Sequence, residues 1–282
     1  MKKLLFICMA LCIVFMGCEK EGVYNPGKKI RRISEQPQGE AKQISQEWSW
    51  NKNLLQKVDY FSKNQLYYTE NYKYDDKNRV IKVDDYENGD YYDISYNDNG
   101  YNKIDYYWNN KLVESYSFQY TDKKVSKISC TWFDNSKSQV KGNGSFIDFL
   151  FPVDMKLLEM GNSKSKGDDA STATVSIKYN ANNLSEVEVL YDNGNIYRYS
   201  YEDFDKYLNP FYSSFSHGTG LTSYSQNNHA KAIVRTTIND NTVNFTTDRE
   251  FTYDGKYPLE IVSKTSYSDY TYRTTTSYEY LK

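Results

Sequence analysis

The chain contains few of the residues that build disulfide-rich or metal-binding proteins. Of its 282 residues, only four are cysteine and two are histidine. Cys8 and Cys12 lie in the apolar N-terminal segment and Cys18 follows it, so Cys130 is the only cysteine in the remainder. No internal disulfide is expected after that segment is removed. A single cysteine at an inward strand position is predicted to be a buried, unreactive thiol.

Neither sign of charge dominates the sequence. Removing Lys2 and Lys3 with the N-terminal segment leaves 33 basic residues against 37 acidic residues, a net charge of −4. Nucleic-acid binding proteins carry a clustered basic face, and this balance is not typical of them. No nucleic-acid partner is expected.

Long apolar runs are absent after the N-terminus. Lys2 and Lys3 precede the apolar run Leu4–Gly17, which is shorter than the ~20 residues that a membrane-spanning helix needs. Residues 1–17 are therefore predicted to be a secretory signal. Phe15-Met16-Gly17-Cys18 resembles the lipobox of bacterial lipoproteins, which implies lipidation of Cys18. The alternative is ordinary signal-peptidase cleavage.

Residues 18–45 are polar and show no strand or helix periodicity. We predict a flexible linker that holds the following domain off a membrane, with the lipid on Cys18 as the membrane contact. The expected location is the cell envelope, as an outer-membrane lipoprotein on the periplasmic side or at the cell surface.

Tyrosine is the residue in excess, with 30 copies, and it occurs in a repeat. A pair of large apolar residues, usually aromatic and separated by one polar residue, recurs mostly every 22 to 24 residues and is followed by a polar turn. The pairs are Trp48/Trp50, Tyr72/Tyr74, Ile94/Tyr96, Phe118/Tyr120, Ile177/Tyr179, Tyr199/Tyr201, Phe251/Tyr253 and Tyr278/Tyr280.

Alternation of apolar and polar residues is typical of strands with one buried face. Short turns at both ends of each repeat, such as Asn88-Gly89 and Asn193-Gly194, indicate antiparallel neighbours. The sequence therefore predicts an all-β, up-and-down antiparallel meander of roughly 14 to 16 strands over residues 46–282. So many strands should curl into a barrel-like or half-barrel sheet.

The phrase Tyr72-x-Tyr74-Asp75 followed by Asn78-Arg79-Val80 resembles the tyrosine–aspartate (YD) repeats of large bacterial shell-forming proteins. Residues 47–282, including Asn209-Pro210-Phe211, resemble an uncharacterised lipoprotein domain family of gut anaerobes with a porin-like fold. This resemblance implies a curled antiparallel sheet and no known activity.

Two stretches interrupt the repeat. Residues 146–170 are apolar at first, and Pro152 and Gly161 mark the ends of a short predicted helix over Val153–Met160. We expect this insertion to fill the mouth or interior of the curled sheet. Residues 207–231 are predicted to be a long polar loop that carries both histidines.

No motif in the sequence indicates catalysis, a cofactor or a metal. Ser216-His217 supplies the residue types of a hydrolase without a nucleophile elbow, and two histidines in a loop are more often surface residues. Asp- and Asn-rich turns at 75–78 and 97–100 lack the glutamate spacing of calcium loops. We therefore expect no enzyme activity, with an envelope hydrolase that uses the 207–231 loop as a remote alternative.

Ligand binding is the class of function that remains once catalysis is set aside. Aromatic residues out of phase with the buried face are candidate ligand contacts, with a glycan as the first expectation. These candidates are Phe61, Tyr67, Tyr91, Tyr107 and Phe133. Three alternatives stay open: scattered aromatics without a ligand, an interaction protein that docks on an outer-membrane complex, and a transmembrane barrel with its apolar face towards lipid.

Overall fold

The computed structural model describes residues 23–85, 89–133, 172–214, 223–238, 241–268 and 270–282. These residues form sixteen antiparallel strands in sequence order, and β1 pairs with β16 to close a barrel. The predicted all-β meander is confirmed. The strands are β1 Ile30–Pro37, β2 Gln43–Asn51, β3 Leu54–Ser62, β4 Gln65–Tyr74, β5 Val80–Asp85, β6 Tyr91–Tyr96, β7 Tyr101–Trp108, β8 Lys111–Thr121, β9 Lys124–Trp132, β10 Thr172–Asn180, β11 Asn183–Tyr191, β12 Ile196–Leu208, β13 Asn227–Ile238, β14 Asn241–Asp254, β15 Tyr257–Tyr267 and β16 Tyr270–Tyr280.

The apolar face of the meander points into the barrel. Val58, Ile104, Ile128 and Val187 are each at most 1% exposed, whereas the residues beside them in sequence carry polar side chains. Because side chains alternate across a strand, one face of the closed sheet must be internal, and the fully buried face is that one. The barrel therefore encloses its own hydrophobic core.

A β-bulge next to the turn that follows six of the apolar pairs explains an odd spacing in the repeat. Leu55 and Val58 are both buried although three residues apart, and a regular strand would place them on opposite faces. Trp50 lies opposite Leu55 while Ser49 lies opposite Lys57, so one extra residue is inserted in β3. The same shift occurs at Tyr74, Tyr96, Tyr120, Tyr179 and Tyr253.

The second aromatic residue of a pair also ties its strand to the preceding one. The hydroxyl of Tyr74 donates to the Leu55 carbonyl at 2.5 Å, Tyr96 to Val80 at 2.7 Å and Tyr120 to Tyr101 at 2.9 Å. Tyr280 repeats this contact with the carbonyl of Pro258 at 2.8 Å, and the indole of Trp50 does so with that of Ile30 at 2.7 Å. Each acceptor is the first or second residue of its strand. The polar tip of an inward-facing ring thus finds a partner at the strand end.

The polar turn between β4 and β5 shows why its residues suit the position. The Asp75 carboxylate accepts hydrogen bonds from the backbone of Lys77 and Arg79, both at 2.9 Å, and from the Arg79 side chain at 2.7 Å. Asn78 takes a left-handed backbone conformation with φ 60°, which asparagine tolerates better than most residues. The Arg79 guanidinium then lies 4.3 Å from the Tyr96 ring centroid.

The prediction of a flexible linker through residue 45 is wrong for its second half. Residues 30–37 form β1, which pairs with both β16 and β2, and β2 begins at Gln43. Ile30 and Ile33 are both buried, but a bulge between Ile30 and Arg32 separates them by three residues. This bulge conceals the alternation that would have identified the strand.

The chain before β1 and the turn after β12 meet at one end of the barrel. Tyr24 is buried and its hydroxyl donates to the Pro210 carbonyl at 2.7 Å. The ring of Phe211 lies 6.1 Å from that of Trp48 and 6.0 Å from that of Tyr278, both on inward positions. Residues from distant parts of the sequence therefore cover this opening.

The predicted loop 207–231 is shorter than expected, because β12 continues to Leu208 and β13 begins at Asn227. His217 and the insertion 146–170, with its predicted helix, lie outside the described residues. In the part of the chain that is described, there is no helix of the length and hydropathy needed to span a bilayer.

Candidate functional site

All five candidate binding aromatics lie near the same end of the barrel. Phe61 and Tyr107 lie near the ends of β3 and β7, Phe133 directly follows β9, and Tyr67 and Tyr91 lie near the starts of β4 and β6. Because neighbouring strands run in opposite directions, these positions are at one end of the barrel. This end is opposite to the one covered by Tyr24 and Phe211. We call it the aromatic rim and define it by Phe61, Tyr67, Tyr91, Tyr107 and Phe133.

Tyr91 and Tyr107 form a cross-strand pair on the outer face. They lie opposite each other in the β6–β7 register, with ring centroids 4.7 Å apart and an interplanar angle of 13°. On the other side of β6, the Lys82 ammonium lies 3.4 Å from the Tyr91 ring centroid. Lys82 and Tyr107 thus occupy both faces of the Tyr91 ring. Pairs of this kind stabilise neighbouring strands, and here they leave neither face of Tyr91 for a sugar.

Two of the other rim aromatics, Tyr67 and Phe133, are more accessible to solvent. Tyr67 and Phe133 are each 57% exposed, and Leu66 beside Tyr67 is 56% exposed. Tyr67 is the extra residue of a bulge between β3 and β4, where Phe61 lies opposite Leu66. Desolvation and then the carboxylates of Glu35 and Glu70 raise the pKa of Tyr67. Since Glu70 is buried within the barrel, Tyr67 lies at the mouth and not on the outer wall.

Two carboxyl groups lie deep inside the barrel. Glu70 is 1% exposed and accepts hydrogen bonds from the hydroxyls of Tyr60 at 2.9 Å and Tyr72 at 2.5 Å. Glu114 is 5% exposed and accepts a hydrogen bond from Tyr116. Burial, followed by these carboxyl groups, raises the pKa of all three tyrosines. The hydroxyls therefore stay protonated and satisfy the buried oxygens.

Cys130 lies close to this buried cluster. It is 1% exposed, as the prediction of an inward thiol requires. Burial, and then the charge of Glu114, raises the pKa of the Cys130 thiol far above its ordinary value. The protonated thiol is a poor nucleophile.

A different environment is found along β14–β16, where the inner face carries hydroxyl groups. Arg249 lies on this face four residues after buried Phe245, and its register partner is Ser263, which in turn lies opposite Thr274. The hydroxyls of Thr247 and Thr265 are 2.9 Å apart. These inner side chains are only half-buried, so the interior is open to water here.

The described histidine is not a surface residue, contrary to expectation. His229 is 4% exposed, and its Nε2 accepts a hydrogen bond from the Arg249 guanidinium. Its ring centroid lies 4.8 Å from that of Tyr201 and 6.1 Å from that of Phe204. Burial and then Arg249 hold the pKa of His229 well below its ordinary value, so the imidazole is neutral.

Sequence reasoning did not single out Arg249. A signal was present, because Arg249 comes four residues after Phe245 and two before Phe251, at the spacing of the inward face. A charged residue in that phase is unusual in this repeat. Within the described ranges, no group of three or more histidine, cysteine or acidic residues is arranged to hold a metal ion.

Comparisons with known proteins do not assign this chain to a family. No protein-family model matches the chain, and no curated protein sequence matches it. A crystal structure of a porin-like protein from Bacteroides uniformis ATCC 8492 is similar at 12% identity and TM-score 0.49, over 92% of this chain and 100% of that one. A porin-like protein from Bacteroides vulgatus ATCC 8482 is similar at 10% identity and TM-score 0.37, over 90% and 99% of the two chains. Both TM-scores are below 0.5, so these similarities carry no conclusion about the function, the ligand or the location of this chain. The resemblance to a lipoprotein family and to YD repeats stays a prediction.

Proposed function

We propose that this chain is an exported lipoprotein of the bacterial cell envelope whose barrel stands in water and binds a ligand without catalysis. The proposal that the barrel stands in water is supported by its charged outer wall. Ion pairs join neighbouring strands on the face opposite to the core. They include Lys73–Asp84 at 2.6 Å, Lys178–Glu186 at 2.8 Å and Arg198–Glu188 at 2.7 Å. A further pair, Lys103–Asp105 at 2.8 Å, lies along β7 itself.

This wall is the reverse of that of a transmembrane barrel. Such barrels turn an apolar band towards lipid, and a lysine or arginine there costs about 2–4 kcal/mol at the bilayer midplane. A wall with charges on β4, β7, β10 and β12 would lose that energy many times. A barrel in water, held at the membrane by a lipid on Cys18, avoids the cost.

Lipidation is tested directly by mass spectrometry of the N-terminal peptide from membrane-extracted protein. We expect a peptide that begins at Cys18 and carries fatty acyl groups. The Cys18→Ser variant should leave the membrane fraction. An unmodified peptide with another N-terminus would support ordinary signal-peptidase cleavage.

Binding is assigned to the aromatic rim, with a glycan as the first expectation. Tyr67 and Phe133 expose much of their ring area at the same end of the barrel, and rings of this kind stack on sugars. Phe61 lies beside Leu66 in the same hairpin as Tyr67. Tyr91 and Tyr107, which stack on each other, would support the rim and not contact the sugar.

A glycan array with the purified protein tests this assignment. We expect saturable binding to one class of sugar, lost in Tyr67→Ala or Phe133→Ala. The matched control is Tyr270→Ala, since Tyr270 is 45% exposed at a turn of the same end but outside the candidate set. Equal loss in the control, or no binding by a folded sample, would count against glycan binding.

The second candidate is docking on an outer-membrane protein complex. The observation that favours it is the adjacent pair Leu66 and Tyr67, 56% and 57% exposed, because exposed apolar side chains also anchor protein partners. Pull-down from solubilised membranes should then recover one partner, and Leu66→Asp should abolish the recovery. The hydrolase alternative remains a proposal that depends on His217, and it predicts loss of turnover in His217→Ala.

A further inference from the structure

The guanidinium of Arg249 is a cation without a carboxylate partner inside the barrel. It donates one hydrogen bond, to His229 Nε2, and forms no ion pair with any carboxylate of the described residues. Burial lowers the pKa of Arg249, and the nearby Tyr201 and Tyr278 oppose that effect. Guanidinium carries five N–H donors, so most of them have no hydrogen-bond acceptor among the described residues.

The contact with His229 does not neutralise this charge. The imidazole is neutral because it accepts a hydrogen bond from a cation and because burial disfavours its protonation. Phe204 and Tyr201 pack against its ring. The pair of side chains therefore presents one positive charge to the interior.

Hydroxyl groups lie on the inner face of the next two strands, β15 and β16. Ser263 lies opposite Arg249 in the β14–β15 register, and Thr274 lies opposite Ser263 on β16. Both are half-buried, and both can donate to an anion. Glu35 also faces the interior, but it lies on β1, three strands from Arg249, and does not pair with it.

We propose that Arg249, with Ser263 and Thr274 beside it, binds the carboxylate of an acidic ligand inside the barrel. The planar fork of a guanidinium matches the two oxygens of a carboxylate. One uncompensated positive charge suits a monoanion, whereas a phosphate dianion would require a second cation. The site lies on β14–β16, so it does not depend on the aromatic rim or on the identity of a ligand there.

Isothermal titration of the full-length protein tests the proposal with three probes at constant ionic strength: sodium glucuronate, sodium acetate and neutral glucose. We expect the carboxylates to bind and glucose to bind more weakly. Arg249→Gln should weaken glucuronate binding by about tenfold or more, as expected for loss of a charged hydrogen-bond donor. Arg235→Gln is the matched control, because Arg235 lies on the outer face of β13 and contacts Asn244.

A second measurement tests carboxylate binding in the unaltered protein if Arg249→Gln does not fold. A carboxylate bound beside the Arg249–His229 pair favours the imidazolium, so saturating glucuronate should raise the pKa of His229 in the unaltered protein. NMR titration with His217→Gln for assignment reports that pKa. Thr274→Val should also weaken glucuronate binding, while Arg235→Gln on the outer face should leave it unchanged.

Three results would overturn the proposal. The first is glucuronate affinity in a folded Arg249→Gln variant equal to that of the unaltered protein. The second is an unchanged His229 pKa at saturating glucuronate. The third is absence of binding by both carboxylates.

Discussion

The inner wall of this barrel differs between strands β7–β11 and strands β14–β16. In the first region the inward side chains are mostly apolar or aromatic and buried, as Ile104, Ile128 and Val187 show, and the exception is the buried carboxyl group of Glu114. In the second region the inward positions include Arg249, Ser263 and Thr274, which are only half-buried. One repeat therefore builds both a hydrophobic core and a water-accessible polar surface.

This difference separates stability from function. Buried apolar area supplies the main favourable free energy of folding, so we expect β7–β11 to hold the barrel together. Half-buried hydroxyls contribute little to stability and remain available to bind. Matched substitutions in the two regions test whether they contribute differently to stability.

The largest effect is expected from Ile128→Ala. Ile128 is 0% exposed, and truncation of a buried isoleucine costs about 2–5 kcal/mol of unfolding free energy. Thr274→Val, at an inward position of the second region, should change it by less than about 0.5 kcal/mol. Urea unfolding followed by tryptophan fluorescence measures both. Equal destabilisation would show that the two regions pack alike.

Glu70→Ala should be nearly as harmful. Its carboxyl group accepts hydrogen bonds from two buried tyrosine hydroxyls, which the substitution leaves without this acceptor. Each unsatisfied buried polar group costs about 1–3 kcal/mol of unfolding free energy. We expect a loss of about 2–4 kcal/mol in total. Glu250→Ala on the exposed face of β14 is the control and should be close to neutral. If Glu70→Ala melts like the unaltered protein, the buried hydrogen bonds do not stabilise the core.

Acidification should act through His229, which lies on β13 beside the second region. The pKa of His229 is lowered in the folded protein, so the unfolded chain binds the proton more readily. Stability is therefore fully present above the ordinary pKa of about 6.5 and falls as the pH drops towards the folded value, by at most ~1.4 kcal/mol per pH unit. Unfolding at pH 7.5 and 5.5 should show this loss, and His229→Gln should remove that part of it. An identical pH dependence in His229→Gln would contradict the assignment.

The smallest effect is expected from Tyr120→Phe. This change removes only the hydrogen bond to the Tyr101 carbonyl, worth about 0.5–1.5 kcal/mol. Tyr107→Phe is a suitable control, because the described contact of Tyr107 is ring stacking, which phenylalanine preserves. A thermal melt should separate the two variants. Similar melts would show that the repeated hydroxyl contact adds nothing to stability.

Much of the fold could be predicted because the repeat is local. Alternating residues and the polar turns specify hairpins between neighbours, and these hairpins alone produce a meander. Closure could not be read in the same way, since β1 pairs with β16 at the other end of the chain. The bulge between Ile30 and Arg32 also interrupts the alternation in β1, so the strand resembled a linker.

The candidate site was predicted less well for a related physical reason. Aromatic side chains out of phase with the core could be picked out from the sequence, but whether a ring face is free depends on its neighbours across strands. Lys82 and Tyr107 cover Tyr91 from two adjacent strands. The contact between Arg249 and His229 joins the neighbouring strands β14 and β13, and it became visible only when the register of that hairpin was known.

The most direct test of the account is flotation of the Cys18→Ser protein with lipid vesicles in the absence of detergent. A barrel with a charged outer wall and an internal core should fold in buffer, show the circular dichroism of β-sheet and remain in the aqueous fraction. Insertion into the vesicles with protection of the strands from protease would contradict it, because the outer wall would then face lipid.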